Sequence, residues 1–475
     1  MTKRRLFSIF AATAAVGALV LTVARARDVP KIATGFVANI LCSETFVSGL
    51  DPERNFAETT EAMPGTRVIA WAVDYKVDIT RKDVTVTLLG LGRSHAVYRS
   101  GIGCTLDHGG AIADVEGPSE GRQGASLPDI AAPMPVAPAN PRLAAALDRA
   151  FANSDQPPFR RTRAIVVVKD GRIAAERYAE GVGIDTPILG FSATKSVTSA
   201  LIGILVRQRI LAIDRPAPVV AWQNPDDPRH VITVDQLLRH TAGLALGSSL
   251  QASLGSAFEP VNRMKYLEPD MAAYAESVTL ETPPGSAWNY NDGNYLILSR
   301  LIRDAVGGNP SDVLRFARDE LFAPLGMRHV TLEFDASGTP EGSSQMLASA
   351  RDWASFGQLY LNDGVAGGKR ILPEGWVKYS ASPTPGGFVG YGAGFWTNLG
   401  DSRGAKYRTE QGWPRDAFFA KGSIGQYVIV IPSERLVIAR FGRTVNWPLD
   451  ADGVSQLVGD VIAATRGREK QEGRE

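Results

Sequence analysis

Ser192-Ala193-Thr194-Lys195 places a hydroxyl and an amine three residues apart. A serine hydroxyl is a weak nucleophile until a neighbouring base takes its proton. A lysine can do that if burial leaves it neutral. The helical spacing from Phe191 to Val206 puts both side chains on one face. It also sets Ser192 near a helix N-terminus, where unpaired N–H groups favour developing negative charge. The four-residue pattern is weak by itself, since chance predicts about one match in a chain of this composition. Its bland reading is a capping serine and a solvated lysine.

Two further segments carry polar groups. Trp288-Asn289-Tyr290-Asn291-Asp292-Gly293 follows a Pro-Pro-Gly turn, and Tyr290 could relay a proton if a cation nearby favours its phenolate. Otherwise it is an aromatic loop packing the core. Ala420-Lys421-Gly422-Ser423 lies between strand candidates, where Gly422 would let a ligand approach the backbone and the strand edge could offer an N–H to an oxyanion. Lys421 alone reads as a solvated charge. There is no G-x-S-x-G, Walker or dinucleotide fingerprint. The five histidines form no H-x-x-x-H pair, and two cysteines cannot make a four-cysteine zinc site, so no metal or cofactor is implied.

The elements that must hold these residues come from both ends of one region. Ala164–Val168 and Ile173–Tyr178 read as a hairpin around Asp170-Gly171. Phe418–Ala420, Tyr427–Ile431 and Leu436–Ala439 are three more strands. One antiparallel sheet with a helical insertion follows, an α+β arrangement. Arg142–Ala152 reads as a short helix, and Val84–Tyr98 as strand. Residues 116–141 are rich in Pro, Gly and Ala and read as a linker between an N-terminal unit (27–115) and a larger domain (142–465), with a charged tail at 466–475.

Residues 1–26 carry Lys3, Arg4 and Arg5, an apolar run from Leu6 to Ala24 and Ala24-Arg25-Ala26. They read as an export signal, or as an uncleaved anchor that would be the chain's one membrane contact. The whole chain has 51 basic and 50 acidic residues; without this segment and its four cations it has 47 and 50, a net −3. That balance excludes bulk phosphate neutralisation, so nucleic acid is not expected as a partner. Export implies an oxidising compartment, periplasmic or facing the periplasm from the inner membrane, where Cys42 and Cys104 could pair. Two buried thiols are the alternative.

Taken in order, these pieces resemble the serine β-lactamase and penicillin-binding superfamily, in its class C β-lactamase-related branch, and are most similar to 6-aminohexanoate-dimer hydrolase and esterase-like members. The resemblance spans about residues 140–465 and includes Phe191–Ser196, Thr233–Leu244, the Tyr290 segment, Pro324–Met327, Ala350–Trp353, Ile371–Trp376 and Gly422–Tyr427. It implies a β-lactamase/transpeptidase-like fold and acyl-enzyme chemistry on a small ester or amide. Ser192 would be the acylated nucleophile, Lys195 would share its proton, and Tyr290 would pass it to the leaving group. Backbone N–H groups of Ser192 and Ser423 would form the oxyanion hole. His240 falls in a common loop motif and reads as structural. Two positions depart from the family. Asp292 replaces the motif's Asn, adding charge and losing an amide donor. Ala420 replaces the Lys or His that grips a substrate carboxylate, and strand alternation would turn Lys421 to the opposite face. Both weaken a β-lactamase or D-alanyl-D-alanine carboxypeptidase reading against an esterase or amidase. A non-catalytic envelope-binding protein on this fold is the third possibility.

Overall fold

The computed structural model describes residues 27–109, 132–138, 140–153, 159–250, 255–445 and 451–466. The export segment, most of the linker and all but Arg466 of the charged tail lie outside these residues. No helix among those described is long and apolar enough to cross a membrane.

The larger domain is built on a six-stranded antiparallel sheet. Its strands are β5 (Thr162–Lys169), β6 (Arg172–Tyr178), β7 (Trp396–Thr397), β8 (Phe418–Gly422), β9 (Gln426–Ile431) and β10 (Leu436–Gly442), ordered β7-β8-β9-β10-β5-β6. The two ends of the domain therefore meet at the β10–β5 pair, where Ile438 faces Val167. The turn from β5 to β6 has positive φ at Asp170 (52°) and Gly171 (77°), as a tight hairpin requires.

The central strands are apolar on both faces because helices cover both. Val166, Val168, Val428 and Ala439 pack with α5 (Thr194–Arg207) and α8 (Ala350–Leu361). Ile165, Val167, Ile429 and Ile438 pack with α4 (Pro141–Phe151) and α9 (Ala451–Arg466). Alternate residues of one strand thus serve two cores. The insertion between β6 and β7 supplies α6 (Pro260–Leu267) and α7 (Asp292–Val306) beside α5.

The N-terminal unit has its own sheet and core. Helix α1 (27–42), α2 (Pro52–Ala62) and α3 (Pro64–Ile69) precede a four-stranded meander, β1 (Val73–Asp78), β2 (Asp83–Leu88), β3 (Gly92–Arg99) and β4 (Gly103–Leu106). The stretch Val84–Tyr98 is thus a hairpin rather than one strand. Leu89 (φ 48°) and Gly90 (φ 70°) turn the chain, and the leucines around the turn hide that signal in the sequence. Cys42 at the end of α1 is bridged to Cys104 in β4, with Cα atoms 6.0 Å apart.

Buried polar groups fasten this unit to the larger domain. Arg163 on β5 donates to Asn55 (2.7 Å) and Glu58 (2.8 Å) and pairs with Glu44, which Arg443 also meets. Glu333 accepts from the Ser43 hydroxyl and from the Cys104 N–H, both at 2.8 Å. Burial pushes its carboxyl well above the usual range, against those two hydrogen bonds. Gly103 has φ +69°, and a Cβ there would sit 2.7 Å from the Glu333 carboxylate. Only glycine meets both demands.

Candidate active site

Ser192 lies in a 3₁₀ turn, Phe191–Ala193, that feeds α5. Phe191 holds φ +46°, a strained value for a bulky residue immediately before the proposed nucleophile. The Ser192 N–H belongs to the first turn, where no intrahelical partner exists. Strand β8 ends against this turn: a Cβ on Gly422 would lie 2.0 Å from the Gly190 carbonyl and 3.0 Å from Phe191 Cβ. Glycine at 422 therefore lets the Ser423 backbone come beside Ser192, the arrangement an oxyanion hole needs.

One helical turn on, Lys195 is buried and donates three hydrogen bonds. Its Nζ reaches Ser192 Oγ at 3.2 Å, Asp292 Oδ1 at 2.6 Å and the Ser343 carbonyl at 2.8 Å. Its Nζ thus sits between the Ser192 hydroxyl and the Asp292 carboxylate. Asp292 opens α7, and its second oxygen pairs with Lys265 on α6 at 3.2 Å. Lys265 also donates to the Ser344 hydroxyl at 2.7 Å. Burial alone would raise the Asp292 carboxyl, but Lys195 and Lys265 outweigh it and hold it at about 2. Burial opposes the charge on Lys265 as well; Asp292, Tyr266 and Glu341 overcome it and keep that ammonium above its usual range.

Asp292 is therefore a clamp between two lysines, with both oxygens engaged, rather than a group held out to a substrate. Lys265 gave no signal in the sequence, because a lone lysine in an amphipathic helix looks like any solvated charge.

Tyr290 is buried at the edge of this network, with Lys195 Nζ 4.9 Å from its ring centroid. Its hydroxyl makes no hydrogen bond among the described residues, and the residue lines the cavity. Tyr391 and Trp396 pack around its ring, and His240 lies 4.4 Å from it between centroids. His240 is buried with φ +61°, and its Nδ1 faces the Asn291 N–H at 3.4 Å. Burial pushes its pKa well below the ordinary value; Lys195 adds to the shift and Asp292 opposes it. A neutral imidazole supporting the tyrosine loop agrees with the structural reading of this residue.

Lys421 corrects one expectation. Alternation holds, since Ala420 joins the core beneath α5 while Lys421 points to the opposite face. That opposite face, however, borders the cavity. Lys421 lines the same space as Ser192 and Tyr290, with Nζ 4.8 Å from the ring of Trp396 on the neighbouring strand β7 and 5.6 Å from that of Tyr427. Burial, aided by Arg408, brings its pKa down to about 7.

The cavity has a volume of about 500 Å³, within the range of small-molecule sites. Ser192, Lys265, Tyr290, Asp292, Lys421, Gly422 and Ser423 all border it. So do Phe36, Ile40, Met63 and Ile69 of the N-terminal unit, a wall the sequence did not reveal.

A 6-aminohexanoate-dimer hydrolase of Paenarthrobacter ureafaciens is 26% identical over 227 residues, 46% of this chain and 56% of that protein. The chain thus matches little more than half of that relative's length. Among solved structures, EstCE1, described as a hydrolase with promiscuous acyltransferase activity, superposes with a TM-score of 0.54 at 15% identity, covering 68% of this chain and 98% of its own. A penicillin-binding protein homologue from Caulobacter crescentus gives 0.52 at 18% identity, covering 69% and 98%. At these identities the two structures share the fold. The Beta-lactamase family model matches residues 147–461, the whole span that carries the sheet, Ser192, Lys195 and Tyr290, and the chain belongs to the β-lactamase family, a family of serine hydrolases.

Proposed function

We propose that this protein cleaves a small ester or linear amide through an acyl-enzyme on Ser192. The observation that carries this reading is the contact from Lys195 Nζ to Ser192 Oγ at 3.2 Å, inside a cavity that also holds Tyr290. Ser192 Oγ attacks the acyl carbon, and the backbone N–H groups of Ser192 and Ser423 receive the oxyanion. Lys195 already donates to Asp292, so it orients Ser192 and steadies charge, while the Tyr290 hydroxyl acts as a relay, accepting the serine proton on its oxygen as it gives its own to the leaving group. Water then repeats the sequence in reverse and frees Ser192. Ser192→Ala lowers kcat for p-nitrophenyl acetate by at least about 10³-fold, a loss of the size expected for a removed nucleophile. An unchanged rate would reject the assignment.

A β-lactamase or D-alanyl-D-alanine carboxypeptidase on the same residues is disfavoured by Ala420, whose side chain lies in the core and offers no cation to a substrate carboxylate. Nitrocefin turnover would revive it. The bridge between Cys42 and Cys104 supports export to an oxidising compartment.

A further inference from the structure

We infer that the N-terminal unit is the acyl-binding wall of this cavity and selects substrates with an apolar acyl chain of about six to ten carbons. The inference rests on Ser192 as the nucleophile. Val29, Ile32, Phe36 and Ile40 recur at spacings of three and four along α1, so one helix face looks into the cavity. From Val29 to Ile40 that face runs about 16 Å. Met63, Ile69 and Leu88 extend it from the α3 region and β2.

The wall begins beside the chemistry. Ile40 packs in one cluster with Phe191, the residue before Ser192, and Phe36 and Met63 lie against that cluster. Among the described residues it carries no charge: Thr66 is the one polar side chain they give to the cavity from this unit, and its hydroxyl already donates to the Met63 and Thr60 carbonyls at 3.0 and 3.1 Å. An ammonium or carboxylate at the far end of a substrate would be stranded there without a partner. A linear dimer with charged ends fits this wall poorly, whereas a fatty acyl chain loses water at every methylene.

The wall is also fixed rather than hinged. The Cys42–Cys104 bridge holds the end of α1, and Glu333 grips Ser43 beside it. The shape is therefore present before substrate arrives, which spares an ordering cost on binding.

The test is a series of p-nitrophenyl acetate, hexanoate, octanoate and decanoate with the full chain. A fully buried methylene gives about fourfold in kcat/KM, so octanoate should exceed acetate by at least about 30-fold even with partial burial. Ala33→Trp puts a large side chain into the cavity from a partly exposed position on α1, and Ala33→Phe does so with a smaller ring. Whichever folds with the wild-type melting profile should lose tenfold or more on octanoate and stay within about twofold on acetate. Acetate turned over as well as octanoate by the wild type, or equal losses on both esters in the variants, would overturn the inference and leave Ser192 in place. No turnover of any ester and no fluorophosphonate adduct would instead remove the reading of Ser192 on which it rests.

Discussion

At the scale of single residues, the site differs from its sequence signature at the lysine. Ser192 and Lys195 were legible from their spacing, and i,i+3 geometry brought them to 3.2 Å. The partners that hold the lysine were not, because Asp292 lies 97 residues away and its second partner, Lys265, sits on another helix. Asp292 read as a departure that weakens a β-lactamase assignment; in the structure it pairs with two buried lysines. Removing it leaves both unpaired, so Asp292→Asn lowers stability at pH 7 by about 3–5 kcal/mol. The sign of its pH dependence follows from a folded pKa near 2, below the ordinary carboxyl value of 3.8. The stabilisation is complete above about pH 4 and is lost as pH falls through about 2. Urea unfolding at pH 7, 4 and 3 should therefore show the deficit of the variant shrinking toward acid. A deficit constant with pH would contradict the ion-pair account.

Elements place these residues, and here the sequence was readable where local pattern and burial agree. The apolar runs of β5, β9 and β10, short and rich in Val and Ile, read as strands of one antiparallel sheet. The hairpin at Leu89-Gly90 was missed because its turn is flanked by leucines rather than polar residues. Lys421 was placed by alternation alone, which fixes the face of a strand but not what lies against it. The packing of the N-terminal unit against the larger domain depends on contacts such as Arg163 with Asn55 of α2, more than 100 residues apart, that no local pattern records. The Cys42–Cys104 bridge closes a loop of 62 residues, and the chain-entropy model assigns such a loop about 4 kcal/mol. Thiol counting on denatured, unreduced protein should find no free thiol, and reduction should lower the melting temperature. Two free thiols would remove the bridge and the rigidity argued for α1.

The whole molecule is a family hydrolase fold whose cavity is finished by a unit outside the family span. Residues 147–461 match the family, yet Phe36, Ile40 and Met63 border the space beside Ser192. The active-site residues were visible because a fold keeps them in order along the chain. The wall was not, because substrate-facing surfaces follow from how units dock. Everything above depends on Ser192 being the group that becomes acylated. Incubation of folded protein with a fluorophosphonate probe, digestion and mass spectrometry of the peptides test that directly. The adduct should map to the peptide containing Ser192 and vanish in Ser192→Ala. An adduct on another residue, or none on protein that melts cooperatively, would contradict the account.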